Sequence, residues 1–144
     1  VVLSPEGGAL RRLLLPFRLG LGGPIGSGNQ WMSWVALTDV VGAIRHAIGT
    51  EILAGPVNVT APEPVPNREF TRALAQAVGR PAVLPVPAVA LRLALGEMAQ
   101  ATILSGARVV PERLLGTGYR FQDPGLEDAL RSLLHRKGRS SFPA

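Results

Sequence analysis

With 144 residues, 47% of them hydrophobic and 17% charged, the chain is sized for one buried core and lies far from the composition of disordered proteins. It has no cysteine, which excludes disulfides, thiolate metal sites and a Cys nucleophile, and His46 and His135 stand far apart without acidic clusters, so no metal site is expected. The net charge is +5, but the arginines are scattered outside the tail Arg136-Lys137-Gly138-Arg139 and aromatics reach only 5%, so nucleic acid is not an expected partner. The uncharged stretch from Pro81 to Leu91 ends at Arg92, well short of the roughly 20 residues of a membrane helix, so no membrane contact is expected. Val1-Val2-Leu3 shows no targeting peptide and looks like a chain entered mid-strand, with a cytoplasmic location as the expectation.

Val1 to Leu3 predicts a buried strand ended by Ser4-Pro5. Leu10, Leu13, Leu14 and Phe17 share one face of a helix from Gly8 to about Phe17, with Pro16 disrupting or ending its last turn. Gly20, Gly22, Gly23, Gly26 and Gly28 then make a long loop. Residues 34–37 predict a strand, followed by a helix that Thr38 or Asp39 caps, that buries Val40, Val41, Ile44, Ala47 and Ile48, and that Gly49 closes. A strand is expected over 56–60, then a helix capped by Asn67 with Phe70, Leu74, Ala77 and Val78 inward, stopped by Gly79. This alternation predicts a parallel α/β sheet with helical crossovers.

The last third is helical in pattern. A long candidate covers 88–104, and a short helix with Pro111 at its first position runs to Leu115. Residues 118–121 predict a brief extended element, and Asp123-Pro124 starts a helix with Leu126, Leu130, Leu133 and Leu134 inward. Glu127 and Asp128 near its start complement the helix dipole.

Catalytic constellations are missing. The glycine loop follows a helix and enters a strand, the reverse of the order a dinucleotide fingerprint needs, and its spacing does not fit G-x-G-x-x-G. Ser33 and Ser105 lack a nucleophile-elbow setting, and His46 falls on the polar side of its helix as a surface residue. No catalytic residue is assigned.

Gly26-x-Gly28-x-Gln30, followed by Trp34-Val35-Ala36-Leu37-Thr38-Asp39 and a helix, resembles extended short-chain dehydrogenases/reductases. The segments Val2 to Leu10, Leu19 to Gly28 and Asn58 to Pro62 look like the branch known as NAD-dependent epimerase-family proteins of undefined substrate. Arg108-Val109-Val110-Pro111 through Gly118-Tyr119-Arg120-Phe121 looks like the small C-terminal domain of unknown function that ends those proteins.

This resemblance implies an α/β fold: the C-terminal part of a Rossmann-like parallel sheet with a mostly helical, substrate-binding C-terminal subdomain. Residues 1–80 would belong to the Rossmann-like domain with its glycine-rich substrate loop at 20–30, 81–135 to the small helical domain, and 136–144 to a disordered basic tail. Such enzymes carry a Tyr-x-x-x-Lys pair, whereas Tyr119 here is followed at that spacing by Asp123. The chain is thus expected to be the substrate-binding half of an NAD(P)-dependent epimerase or reductase, inactive alone and binding no cofactor alone. Its expected partners are a missing N-terminal Rossmann half and a small-molecule substrate, with NAD or NADP in the full-length protein. The isolated half is expected to expose an open sheet edge and an apolar face.

Gly26, Gly28, Gln30, Trp31 and Trp34 are the candidate substrate residues, with core packing the alternative for the two tryptophans and a loop-bracing hydrogen bond the alternative for Gln30. Relatives bring backbone near the nicotinamide at the position of Val2, Leu3 and Ser4. Many nucleotide-sugar members place an Arg two positions after the Gln, where this chain has Met32, so a small, largely apolar or weakly polar substrate is expected. The close branch often carries His where Ala36 stands. The rival expectation is a non-catalytic protein-interaction module docking through 88–104.

Overall fold

The computed structural model describes residues 1–82 and 106–135. The helix expected over 88–104 and the tail expected over 136–144 lie outside them. Strand β1 (Val2–Leu3) leads into helix α1 (Gly8–Arg18), whose Leu10, Leu13, Leu14 and Phe17 are buried along one face. Pro16 sits inside the last turn, and the helix runs two residues past it because the proline costs only one backbone donor there. Gly20 takes a φ of 74° in the glycine loop, and Gly22 lies flat under the Phe17 ring. A Cβ at Gly22 would stand 2.5 Å from that ring, so Gly22→Ala is expected to cost about 1–3 kcal/mol in urea unfolding.

Strand β2 (Trp31–Met32) and β3 (Val35–Ala36) follow, then helix α2 (Leu37–Ile48). After a long connection come β4 (Val65–Pro66) and helix α3 (Asn67–Val78), closed by Gly79 in the left-handed region at φ 67°. Helix α4 (Glu112–Gly116) and helix α5 (Leu126–His135) complete the described elements. β1 pairs in parallel with β3, Val2 opposite Val35 and Leu3 opposite Ala36. β2 pairs antiparallel with β4, Trp31 opposite Pro66 and Met32 opposite Val65. One core joins Leu3, α1, Trp34, Phe70 and Leu74 of α3, and Leu126, Ala129 and Leu130 of α5.

Several expectations need correction. Residues 56–60 form no strand: Pro56 has no N–H to give, and the neighbouring backbone bond to the β3 region comes later, from the Ala61 N–H to the Trp34 carbonyl at 2.6 Å. The antiparallel β2–β4 pair was not foreseen, since two residues are too few to show a period. Pro111 stands before α4 rather than at its first position, residues 119–121 pair with no strand, and α5 begins at Leu126. Ala36 and Pro66 occupy the N-cap positions of α2 and α3, so neither Thr38, Asp39 nor Asn67 caps a helix. The stripe of α2 expected inward is largely exposed: Val41, Ile44 and Ile48 face outward, with Ile48 at 82%, while Asp39 and Ala43 are its buried residues.

Candidate functional site

The two residues expected as caps do something else. Asn67, the first residue of α3, is fully enclosed, and its Oδ1 accepts from the Ile25 N–H at 2.8 Å while its Nδ2 donates to the Met32 sulfur at 3.1 Å. The first N–H groups of α3 are also taken by the loop: Asn67 donates to the Gln30 carbonyl and Arg68 to the Gly28 carbonyl, both at 2.9 Å. A glycine-rich loop therefore acquires a fixed shape from a helix start that would otherwise face solvent.

Within that loop Gly26 and Gly28 adopt φ of 57° and 68°, which favours glycine strongly. Gly28 is buried between Pro24 and Arg68, while Gly26 is exposed at the rim. The Gln30 side-chain amide donates to the Ile25 carbonyl at 3.0 Å, the loop-bracing role. Trp31 leaves 38% of its surface exposed beside it, whereas Trp34 is sealed in the core with its indole N–H on the Glu63 carbonyl at 3.0 Å. Met32 is buried beneath the loop. Gly26 and Trp31 are thus exposed and Gln30 half-buried, whereas Gly28 is buried within the loop and Trp34 lies in the core. On the loop's flank a groove of about 430 Å³ is lined by Pro24, by Arg68 and Arg72 of α3, and by Arg80 just past that helix.

β1 is the other half of the candidate site. Val2 is largely exposed and Leu3 buried; Ser4, at the carboxyl end of the strand, accepts the Glu6 N–H on its hydroxyl at 3.3 Å. Among the described residues no three His, Asp or Glu side chains converge to hold a metal ion.

Asp39 organises the opposite side. Its fully buried carboxylate accepts the Gln122 N–H at 2.8 Å, the Asp123 N–H at 3.0 Å and the Tyr119 hydroxyl at 3.1 Å, and Thr38 donates to Asp123 at 3.2 Å. His46 is half-buried rather than free on the surface: it reaches the Thr117 hydroxyl at 2.9 Å and tilts against the Tyr119 ring. This clasp fastens the segment leading to α5 onto α2. Burial first, then the hydrogen bond and charge of Asp39, push the Tyr119 phenol up to about 12. Because the phenol is held protonated in the fold, this contribution to stability is complete below about pH 10 and lost as pH rises toward 12. Tyr119 is the one tyrosine of the chain, so its near-ultraviolet phenolate titration reads this clasp alone. A midpoint near 12 is expected in the native chain and one near 10 in urea, with Asp39→Asn lowering the native midpoint only part of the way because the phenol stays buried.

A parallel strand pair crossed by helices and a glycine loop pinned to a helix start make this a mixed α/β, Rossmann-like fold. A family described as a domain of unknown function (DUF1731) matches residues 86–133. The chain is 47% identical over 138 residues to the epimerase family protein Mb2239 of Mycobacterium bovis, covering 96% of this chain and 46% of that protein. It superposes with a TM-score of 0.87 and 40% identity on the crystal structure of human epimerase family protein SDR39U1 (isoform2) with NADPH, over 94% of this chain and 46% of that one. A nucleoside-diphosphate sugar epimerase from Corynebacterium glutamicum gives 0.69 at 29% identity, over 94% of this chain and 25% of that one. The chain is similar to the C-terminal part of these epimerase family proteins. It spans about half the length of the curated relatives it matches.

Proposed function

We propose that this chain is the substrate-side half of an NADPH-dependent epimerase or reductase in the cytoplasm, inactive until joined to an N-terminal cofactor half. In this reading residues 1–80, with the loop 20–30, complete the Rossmann-like domain and 81–135 form the small helical domain. Gly26, Gly28, Gln30 and Trp31 border the substrate, Trp34 backs Trp31 from the core, and the backbone of Val2, Leu3 and Ser4 borders the nicotinamide. NADPH, when bound, supplies the hydride; this chain orients the substrate and shields the reacting face from water.

The observation that carries the reading is the parallel pair β1–β3. Among the described residues this sheet has two strands, and parallel sheets are usually extended and covered on both faces. A further strand and helix layer beside β1 and α2 is what the extra length of the relatives could provide. The test is to join the N-terminal half of the Mycobacterium bovis relative ahead of Val1 and titrate NADPH. Saturable enhancement of nicotinamide emission is expected in the joined protein and absent from the chain alone. Equal binding by the chain alone, or a folded joined protein that binds none, would overturn the proposal.

A further inference from the structure

The loop lacks an arginine two positions after Gln30, yet the fold returns one from much later in the sequence. The Arg108 guanidinium lies over the Trp31 ring, 5.3 Å from its centroid. Its position is built by the strap 106–109. The Ser33 hydroxyl donates to the Ala107 carbonyl at 2.7 Å and accepts the Val109 N–H at 2.9 Å, on either side of Arg108. The Thr60 hydroxyl reaches the Val109 carbonyl at 3.4 Å. Gly106 lies so close to the loop that a Cβ there would stand 2.7 Å from the Trp31 nitrogen and 2.9 Å from the Gln30 Cβ. The strap therefore has a fixed seat on residues 30–33.

We infer that Arg108, held over Trp31 beside Gln30, is the substrate-recognising cation of this chain and takes an oxyanion, the carboxylate or phosphate of the substrate. A guanidinium in a cation–π contact keeps its forked N–H donors for a planar or tetrahedral oxyanion. Ordering the side chain beforehand reduces the entropy lost on binding. Met32 cannot serve, being apolar and buried, and Arg68 on the loop's other flank donates to the Asn29 side chain. This inference rests on the proposed substrate site and replaces the expectation of a largely apolar substrate with an anionic one.

The test is a titration of the tryptophan emission of the 144-residue chain with inorganic phosphate and, separately, with acetate, at ionic strength held constant with chloride. A saturable change is expected, about tenfold or more weaker in Arg108→Gln, partly kept in Arg108→Lys and unaltered in the remote Arg12→Gln. Tighter binding of one anion identifies phosphate or carboxylate as the source. A change that does not saturate, or that survives undiminished in a folded Arg108→Gln, overturns the inference, and Arg108→Lys decides the case if the glutamine variant does not fold. The titration contains no nicotinamide, so its failure leaves the cofactor reading standing, and failure of the cofactor test leaves an anion result standing.

Discussion

Asp39→Ala is expected to remove about 3–5 kcal/mol of folding free energy, a large share of the roughly 5–15 kcal/mol that holds a domain of this size. The carboxylate is fully buried and is the shared acceptor for two backbone N–H groups and a phenol. Alanine leaves the partly buried Gln122 and Asp123 N–H groups without their acceptor, and each such group costs up to about 1–3 kcal/mol. Tyr119 keeps its second bond, to the Asp39 backbone carbonyl at 3.1 Å, which limits the loss. Asn at this position retains one acceptor and sets an NH2 against a backbone N–H, so it is expected to fall between alanine and the native residue. Urea unfolding measures the order directly, as a lowered midpoint at unchanged slope. A loss below about 1 kcal/mol in Asp39→Ala would show that the clasp does not hold the C-terminal segment.

The second large effect concerns the outward stripe of α2. Leu37, Val41, Ile44 and Ile48 recur at helical spacing, and Ile52 follows at 79% exposure. Covering side chains of this size contributes about 1.5–3 kcal/mol each when burial is complete, so the stripe is expected to drive association of the isolated chain. Ile44→Glu with Ile48→Glu should turn concentration-dependent sedimentation into that of a monomer. If the added half covers the stripe, as the proposed function requires, the same pair placed in the joined protein should lower its stability by several kcal/mol. Equal stability of the joined protein with and without the two glutamates would show that the stripe is solvent-facing in both forms.

The helices were legible because their periods are local. Leu10, Leu13, Leu14 and Phe17 fall on one side of any helix that contains them, and Gly79 ends α3 where a left-handed residue is needed. Asp39 and Asn67 were misread for a related reason: an acid or amide at a helix start has the same local pattern whether it bonds its own helix or a distant strand. Their partners lie at Gln122, Asp123 and Ile25, and no local signal announces them. The α2 stripe was placed inward because periodicity reports that a face is apolar and says nothing of what covers it. In the site, the glycine loop and Trp31 are visible as composition, whereas Arg108 meets Trp31, and Ala107 and Val109 meet Ser33, across more than 70 residues that tertiary structure alone brings together.

The central claim is that this chain completes a cofactor half. Its most direct measurement is sedimentation of the chain mixed with the separately produced N-terminal half of the Mycobacterium bovis relative, with NADPH absorbance followed in the same run. A one-to-one complex that carries NADPH, and that Ile44→Glu with Ile48→Glu dissociates, is the predicted result. Two halves that sediment apart at every concentration, with no NADPH carried by either, would contradict the account.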